Sequence, residues 1–93
     1  MDFKEKLLKL KELSKCGVSI DINEHKNNNE TIEEYVESIS LYKYVEFELI
    51  DKIKQHDTIV SIQFYPENSI GWYIVYHYNL ETAIDEALKI LQE

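Results

Sequence analysis

Three histidines and one cysteine are the side chains of this 93-residue chain best suited to metal or acid–base chemistry. His25, His56 and His77 stand far apart, in neither H-x-x-H nor H-E-x-x-H spacing, and Cys16 alone cannot complete a zinc set. Their plain reading is structural, and His77 is the one worth following, since it shares a strand face with Tyr73 and Val75 opposite Trp72. Cys16 falls at the end of a helix, where the dipole disfavours a thiolate, so it is expected to pack as a small hydrophobe, buried or partly buried. Gly17 and Gly71 are isolated, which leaves no loop to cradle a phosphate. Carboxylates are plentiful, but a catalytic pair needs a shaped cleft that a domain this small rarely encloses. The expectation is a protein that is not an enzyme, with no cofactor and no metal.

Charge is more informative than any single side chain. There are 18 acidic residues against 10 basic ones, for a net charge of -8, and every basic residue is lysine. Without arginine the chain lacks the planar fork used for phosphate and guanine, so direct nucleic-acid binding is not expected. The imbalance is uneven, with residues 1–16 at +2, 17–57 at -6 and 58–93 at -4.

Within the acidic middle, helical spacing puts Glu30, Glu33, Glu34 and Glu37 on one side and Ile32, Tyr35, Val36 and Ile39 on the other. If the helix continues in phase, Glu48 and Asp51 extend the stripe, and Leu41, Tyr44 and Val45 set apolar groups within it. Like charges one turn apart do not help a helix. Two readings stand: a solvated face, or a docking face for a basic partner formed by Glu30, Glu33, Glu34, Glu37, Tyr44, Glu48 and Asp51.

The aromatics Phe64, Tyr65, Trp72, Tyr73, Tyr76 and Tyr78 could in principle stack bases. Residues 58–88 contain no lysine or arginine, however, so cross-strand packing accounts for most of them. Tyr65, Tyr73 and His77 remain open as protein contacts.

The elements that must position these groups follow from periodicity. Residues 2–15 read as a helix with Asp2 as N-cap and Gly17 just past its end as the C-cap. Val18, Ile20 and Ile22 alternate as a strand that the asparagines 27–29 close as a loop. Thr31 and Glu34 form a capping box that opens a helix over 31–56, with a break near Ser40 and a strand over 44–50 as open alternatives. Val60, Ile62 and Phe64 share one face of a strand, Pro66 to Ser69 turn, and Trp72, Ile74, Tyr76 and Tyr78 share one face of the next. Asn79 caps a last helix whose Leu80, Ala83, Ile84, Ala87, Leu88 and Leu91 keep the i, i+3, i+4 rule. The predicted fold is a single compact α+β domain over 1–93. Its small, three-stranded, largely antiparallel sheet (about 17–24, 58–65, 70–78) is packed by helices at about 2–15, 31–56 and 79–92.

No apolar run approaches the ~20 residues that span a bilayer, and the charged N-terminus lacks a signal-peptide pattern. With one cysteine the chain suits a reducing compartment, and a cytoplasmic location is expected.

Phe64-Tyr65-Pro66, followed by a strand and the helix LETAIDEAL, resembles the strand-to-helix closure of HicB-like antitoxins, a resemblance that carries no site residue. A short, acidic, lysine-only chain rich in asparagine and tyrosine is also similar to small phage and mobile-element proteins, among which antitoxins, immunity proteins and anti-defence inhibitors occur. The expected function is a small acidic inhibitor that binds a basic, nucleic-acid- or nucleotide-binding surface of a toxin or defence protein such as a nuclease. Two alternatives stay open. One is an oligomeric module sequestering a small molecule or nucleotide, its positive charge drawn from Lys4 to Lys15, Lys26, Lys43, Lys52 and Lys54; the other is a non-enzymatic assembly subunit.

Overall fold

The computed structural model describes residues 1–41 and 45–93. Helix α1 spans Phe3–Leu13, opened by the Asp2 carboxylate accepting the Glu5 N–H at 2.8 Å. It ends at Ser14, whose backbone is extended, and not at Gly17. The buried Ser14 hydroxyl donates to the Gly17 carbonyl and accepts the Tyr65 N–H at 2.9 Å, tying the helix end to the far strand. Gly17, at φ +93, then turns the chain into the sheet, a conformation L-residues rarely adopt. Because the helix has already ended, Cys16 lies in this turn and is exposed, contrary to the packed position expected of it.

Strand β1 (Val18–Ile22) pairs antiparallel with β2 (Val60–Phe64), which pairs antiparallel with β3 (Tyr73–His77), in the order β1-β2-β3. Asn23, in the left-handed region, closes β1 with a two-way clasp: its N–H donates to the Ile59 carbonyl and its Oδ1 accepts the Ile59 N–H. A 3-10 turn over Glu24–Asn28 follows where the asparagine run reads as a plain loop. The stretch expected as one helix, breakable near Ser40, is two: α2 (Ile32–Ser40) and α3 (Phe47–His56). No strand forms over the described part of 44–50. Asp57 stops α3 in the left-handed conformation, and α4 (Leu80–Gln92) starts on the Asn79 cap.

Two hydrophobic clusters flank the sheet. Leu10 of α1 and Ala83, Ile84, Ala87 and Leu88 of α4 bury Val60, Ile62, Phe64 and Val75 on one face. On the other, Ile32, Val36 and Ile39 of α2 and Ile53 of α3 enclose Ile59, with Tyr76 and Tyr78 packed against them. That second face is covered only in part, and Ser19, Asp21 and Gln63 stay exposed.

The alternation read for β3 holds, and its register shows which face lies against α4. Directly opposite residues of an antiparallel pair share a face, and the register sets Val60 against His77 and Ile62 against Val75. Val75 and His77 therefore face α4 and are buried, whereas Tyr76 and Tyr78 lie under α2 and α3. His77 is not the surface contact it could have been. Trp72 and Tyr73, each 47% exposed, are only partly covered.

Candidate functional site

The acidic residues occupy two helices and not one continuous face. On α2, Glu33 and Glu37 are exposed, while Glu30, just ahead of the helix, is half-buried. Glu34 has a structural task, because its carboxylate accepts the Thr31 N–H while its own N–H donates to the Thr31 hydroxyl, each at 3.1 Å. On α3, Asp51 is exposed and Glu48 lies 3.9 Å from Lys52. Tyr44 lies outside the described residues, and the break between the helices means Glu48 and Asp51 do not extend the α2 stripe in phase.

Few cations answer this charge. Among the described residues, the ion pairs are Lys6 with Glu81 and Asp85, at 3.1 and 2.9 Å, and Lys52 with Glu48. None involves Glu30, Glu33, Glu34, Glu37 or Asp51. Leu41 at the end of α2 and Phe47 at the start of α3 are 79% and 85% exposed, so apolar groups do sit beside the carboxylates.

Beneath α3 runs an open groove of roughly 500 Å³ that periodicity did not reveal. Its floor is Val75, Tyr76, His77 and Tyr78, consecutive residues along and just beyond β3. One wall is the α3 side, with Val45, Glu46, Glu48, Leu49 and Lys52; the other is Glu86 and Ile90 of α4. The site assembles segments far apart in sequence, and it needs the β3 phase that only strand register determines.

Rings order the floor. Tyr78 stacks between His56 and His77, with centroid separations of 4.3 and 4.5 Å. His77 Nδ1 accepts the Asn79 N–H at 3.2 Å, which puts the proton of the neutral ring on Nε2. Burial lowers the His77 pKa, Glu86 opposes that shift and Lys52 reinforces it, so the ring favours its neutral form.

Under α2, the Tyr35 hydroxyl donates to the Glu24 carboxylate at 2.9 Å. Burial first, and this hydrogen bond second, hold the Tyr35 pKa well above its usual value; burial and the Glu24 charge raise Tyr76 likewise. These tyrosines are neutral hydrogen-bonding groups at physiological pH, not bases. Neighbouring His25 is buried, and its Nδ1 has no hydrogen-bond partner among the described residues. No group of three or more His, Cys, Asp or Glu among the described residues could hold a metal, and no helix there is long and apolar enough to cross a membrane.

A third feature lies at the opposite end of the hairpin. Tyr65 meets Trp72 edge to face at 5.4 Å, Lys15 lies 5.1 Å over the Tyr65 ring, and Ile70 beside them is fully exposed. No family model matches the chain, and neither does any curated protein or solved structure.

Proposed function

We propose that this protein is a non-enzymatic binding module that engages and blocks a basic surface on another protein through its α2–α3 side. The observation that carries this reading is the exposed carboxylates Glu33, Glu37 and Asp51, which have no ion-pair partner among the described residues of a chain whose net charge is -8. Such a field steers a cationic partner and makes its association salt-sensitive. The exposed Leu41 and Phe47 supply the apolar contacts that turn steering into residence.

A surface that evolved to bind phosphate or nucleic acid is basic, so a toxin or defence nuclease is the partner class this chemistry fits, and an inhibitor of phage or mobile-element type the role. The acidic α2–α3 side and the absence of lysine and arginine from residues 58–88 make direct nucleic-acid binding by this chain unfavourable where Tyr76 and Tyr78 lie.

The test is capture of a partner at low and high salt by the protein and by the double variant Glu33→Lys/Glu37→Lys. Glu34 is left in place because its reversal would break the capping box and confuse unfolding with lost binding. Salt-sensitive capture that the double variant loses, with circular dichroism unchanged, supports the reading. Capture that survives both changes refutes it.

A further inference from the structure

Strand β1 begins the sheet order, so one of its edges has no neighbour in the sheet. The Asn23 N–H donates to the Ile59 carbonyl across the β1–β2 register, and Asp21 and Ser19, in step with Asn23, turn their backbone groups toward β2 as well. Ile20 and Ile22 therefore turn theirs outward, and among the described residues neither has a hydrogen bond on that side. Their side chains are left short of cover too. Val18, Ile20 and Ile22 share the α1–α4 face with Phe64, Ile62 and Val60, yet Val18 and Ile20 are only half-buried and Ile22 is 53% exposed. An edge strand with free backbone groups and an exposed apolar side chain is a template for another strand, and VSIDI carries neither proline nor lysine to blunt it.

We propose that β1 pairs antiparallel with β1 of a second copy of this chain, about a two-fold axis at Ile20, joining the two sheets into one. The inference goes beyond the basic-partner reading and does not depend on it. The first argument for a second copy is register. Centred on Ile20, the strand reads the same in both directions: Ile20 meets Ile20, and Val18 meets Ile22 of the copy. Every apolar side chain then stays on the α1–α4 face, which a slip of one residue would forbid. The two Ile20 residues exchange their N–H and C=O groups, and each Ile22 N–H donates to a Val18 carbonyl.

The second argument is charge. Tyr65, two residues beyond Gln63, continues the sheet face that carries Ser19 and Asp21, and the Lys15 ammonium lies 5.1 Å over its ring. Lys15 thus stands on that face at the start of β1 and Asp21 near the end; both are exposed, and among the described residues neither is in an ion pair. Antiparallel pairing sets Asp21 of each copy opposite Ser19, toward the Lys15 end of the other. A parallel pair would instead bring like charges together.

The test follows the full chain from micromolar to millimolar concentration by sedimentation and by amide hydrogen exchange. The expected result is a concentration-dependent dimer whose formation slows exchange at Ile20 and Ile22. Ile22→Lys, at an exposed position, should weaken dimerisation roughly tenfold or more with circular dichroism unchanged, because symmetry removes the Ile22–Val18 contact twice. Register is read by cross-linking in a Cys16→Ser background, with Ser19→Cys and Asp21→Cys made as separate proteins. Residues 19 and 21 of opposite copies form a non-hydrogen-bonded pair with Cα atoms about 4.5 Å apart, within disulfide reach. The oxidised mixture should give a cross-linked heterodimer, and each protein alone far less.

A monomer at every concentration, a dimer whose Ile20 and Ile22 amides exchange unslowed, equal cross-linking in the separate proteins, or undiminished dimerisation of Ile22→Lys would each overturn the proposal. A monomer whose β1 amides become protected only with a captured partner would assign the edge to a strand of that partner and refute the second copy. Dependence of partner capture on Glu33 and Glu37 is read in a separate experiment, so the two readings fail separately.

Discussion

The two sides of the sheet are built to different standards. On the α1–α4 side, Leu10, Ile62, Phe64, Ala83, Ile84 and Ala87 are completely buried, and α1 and α4 are tied together outside that core by Lys6 with Glu81 and Asp85. On the α2–α3 side, Ile53 and Ile59 are the fully buried side chains among the described residues; Ile32, Tyr35 and Ile39 keep some exposure, a left-handed Asp57 ends α3, and the outer surface is acidic. Few buried apolar groups and self-repelling surface charge mark the less stable part of a domain. Binding surfaces are drawn from that part, and the difference suggests a scaffold on one side and a working surface on the other.

The most severe way to break the comparison is through the scaffold. Phe64→Ala should cost about 3–5 kcal/mol, a large share of the total for a domain this small, and a urea melt should show global unfolding. Ile53→Ala, the matching deletion beneath α3, should cost about 2–4 kcal/mol. Hydrogen exchange should then report faster opening of α2 and α3 ahead of the sheet. If Ile53→Ala unfolds α4 as readily as α3, the two layers are one cooperative unit and the contrast is lost.

Thr31→Ala should cost about 1 kcal/mol by removing the capping box, with the loss of protection confined to α2. pH separates the layers from opposite ends of the scale. His77 is held below 6.5, so the unfolded chain binds more protons beneath that value; its contribution is whole above pH 6.5 and is lost as pH falls toward the folded value. Tyr35 is held above 10.0, so its contribution is whole below pH 10 and is lost as pH rises. Denaturant midpoints of His77→Gln and Tyr35→Phe across pH should flatten the acid and the alkaline limb respectively. The smallest change is Glu33→Gln/Glu37→Gln, which relieves an i,i+4 repulsion and should raise stability by a few tenths of a kcal/mol at low salt, an increment that added salt erases in thermal melts.

What the sequence made legible follows the same division. α4 and the hairpin could be read because their periods are strong, and Asp2, Thr31 and Asn79 announced their caps in advance. Which face of β3 lies against α4 could not be read. A strand between two layers of helices is apolar on both faces, so Tyr73, Val75 and His77 look as buried by type as Ile74, Tyr76 and Tyr78. Pairing with β2 decides between them, and that is a long-range fact. The acidic residues were visible as a stripe, as were the Thr31–Glu34 capping box and a candidate break near Ser40; what the sequence left open was whether the helix breaks there, since no glycine or proline marks the place. The groove was invisible because α3, β3 and α4 each contribute a part that means nothing alone.

The most direct test reverses equal charge on the two sides and compares partner capture. Glu33→Lys/Glu37→Lys changes the α2 surface, and Glu12→Lys/Glu67→Lys makes the same change at exposed positions on α1 and the hairpin turn. Capture at low salt should be lost in the first variant and kept in the second. Capture kept in the first, or lost equally in both, would contradict a working surface on the α2–α3 side.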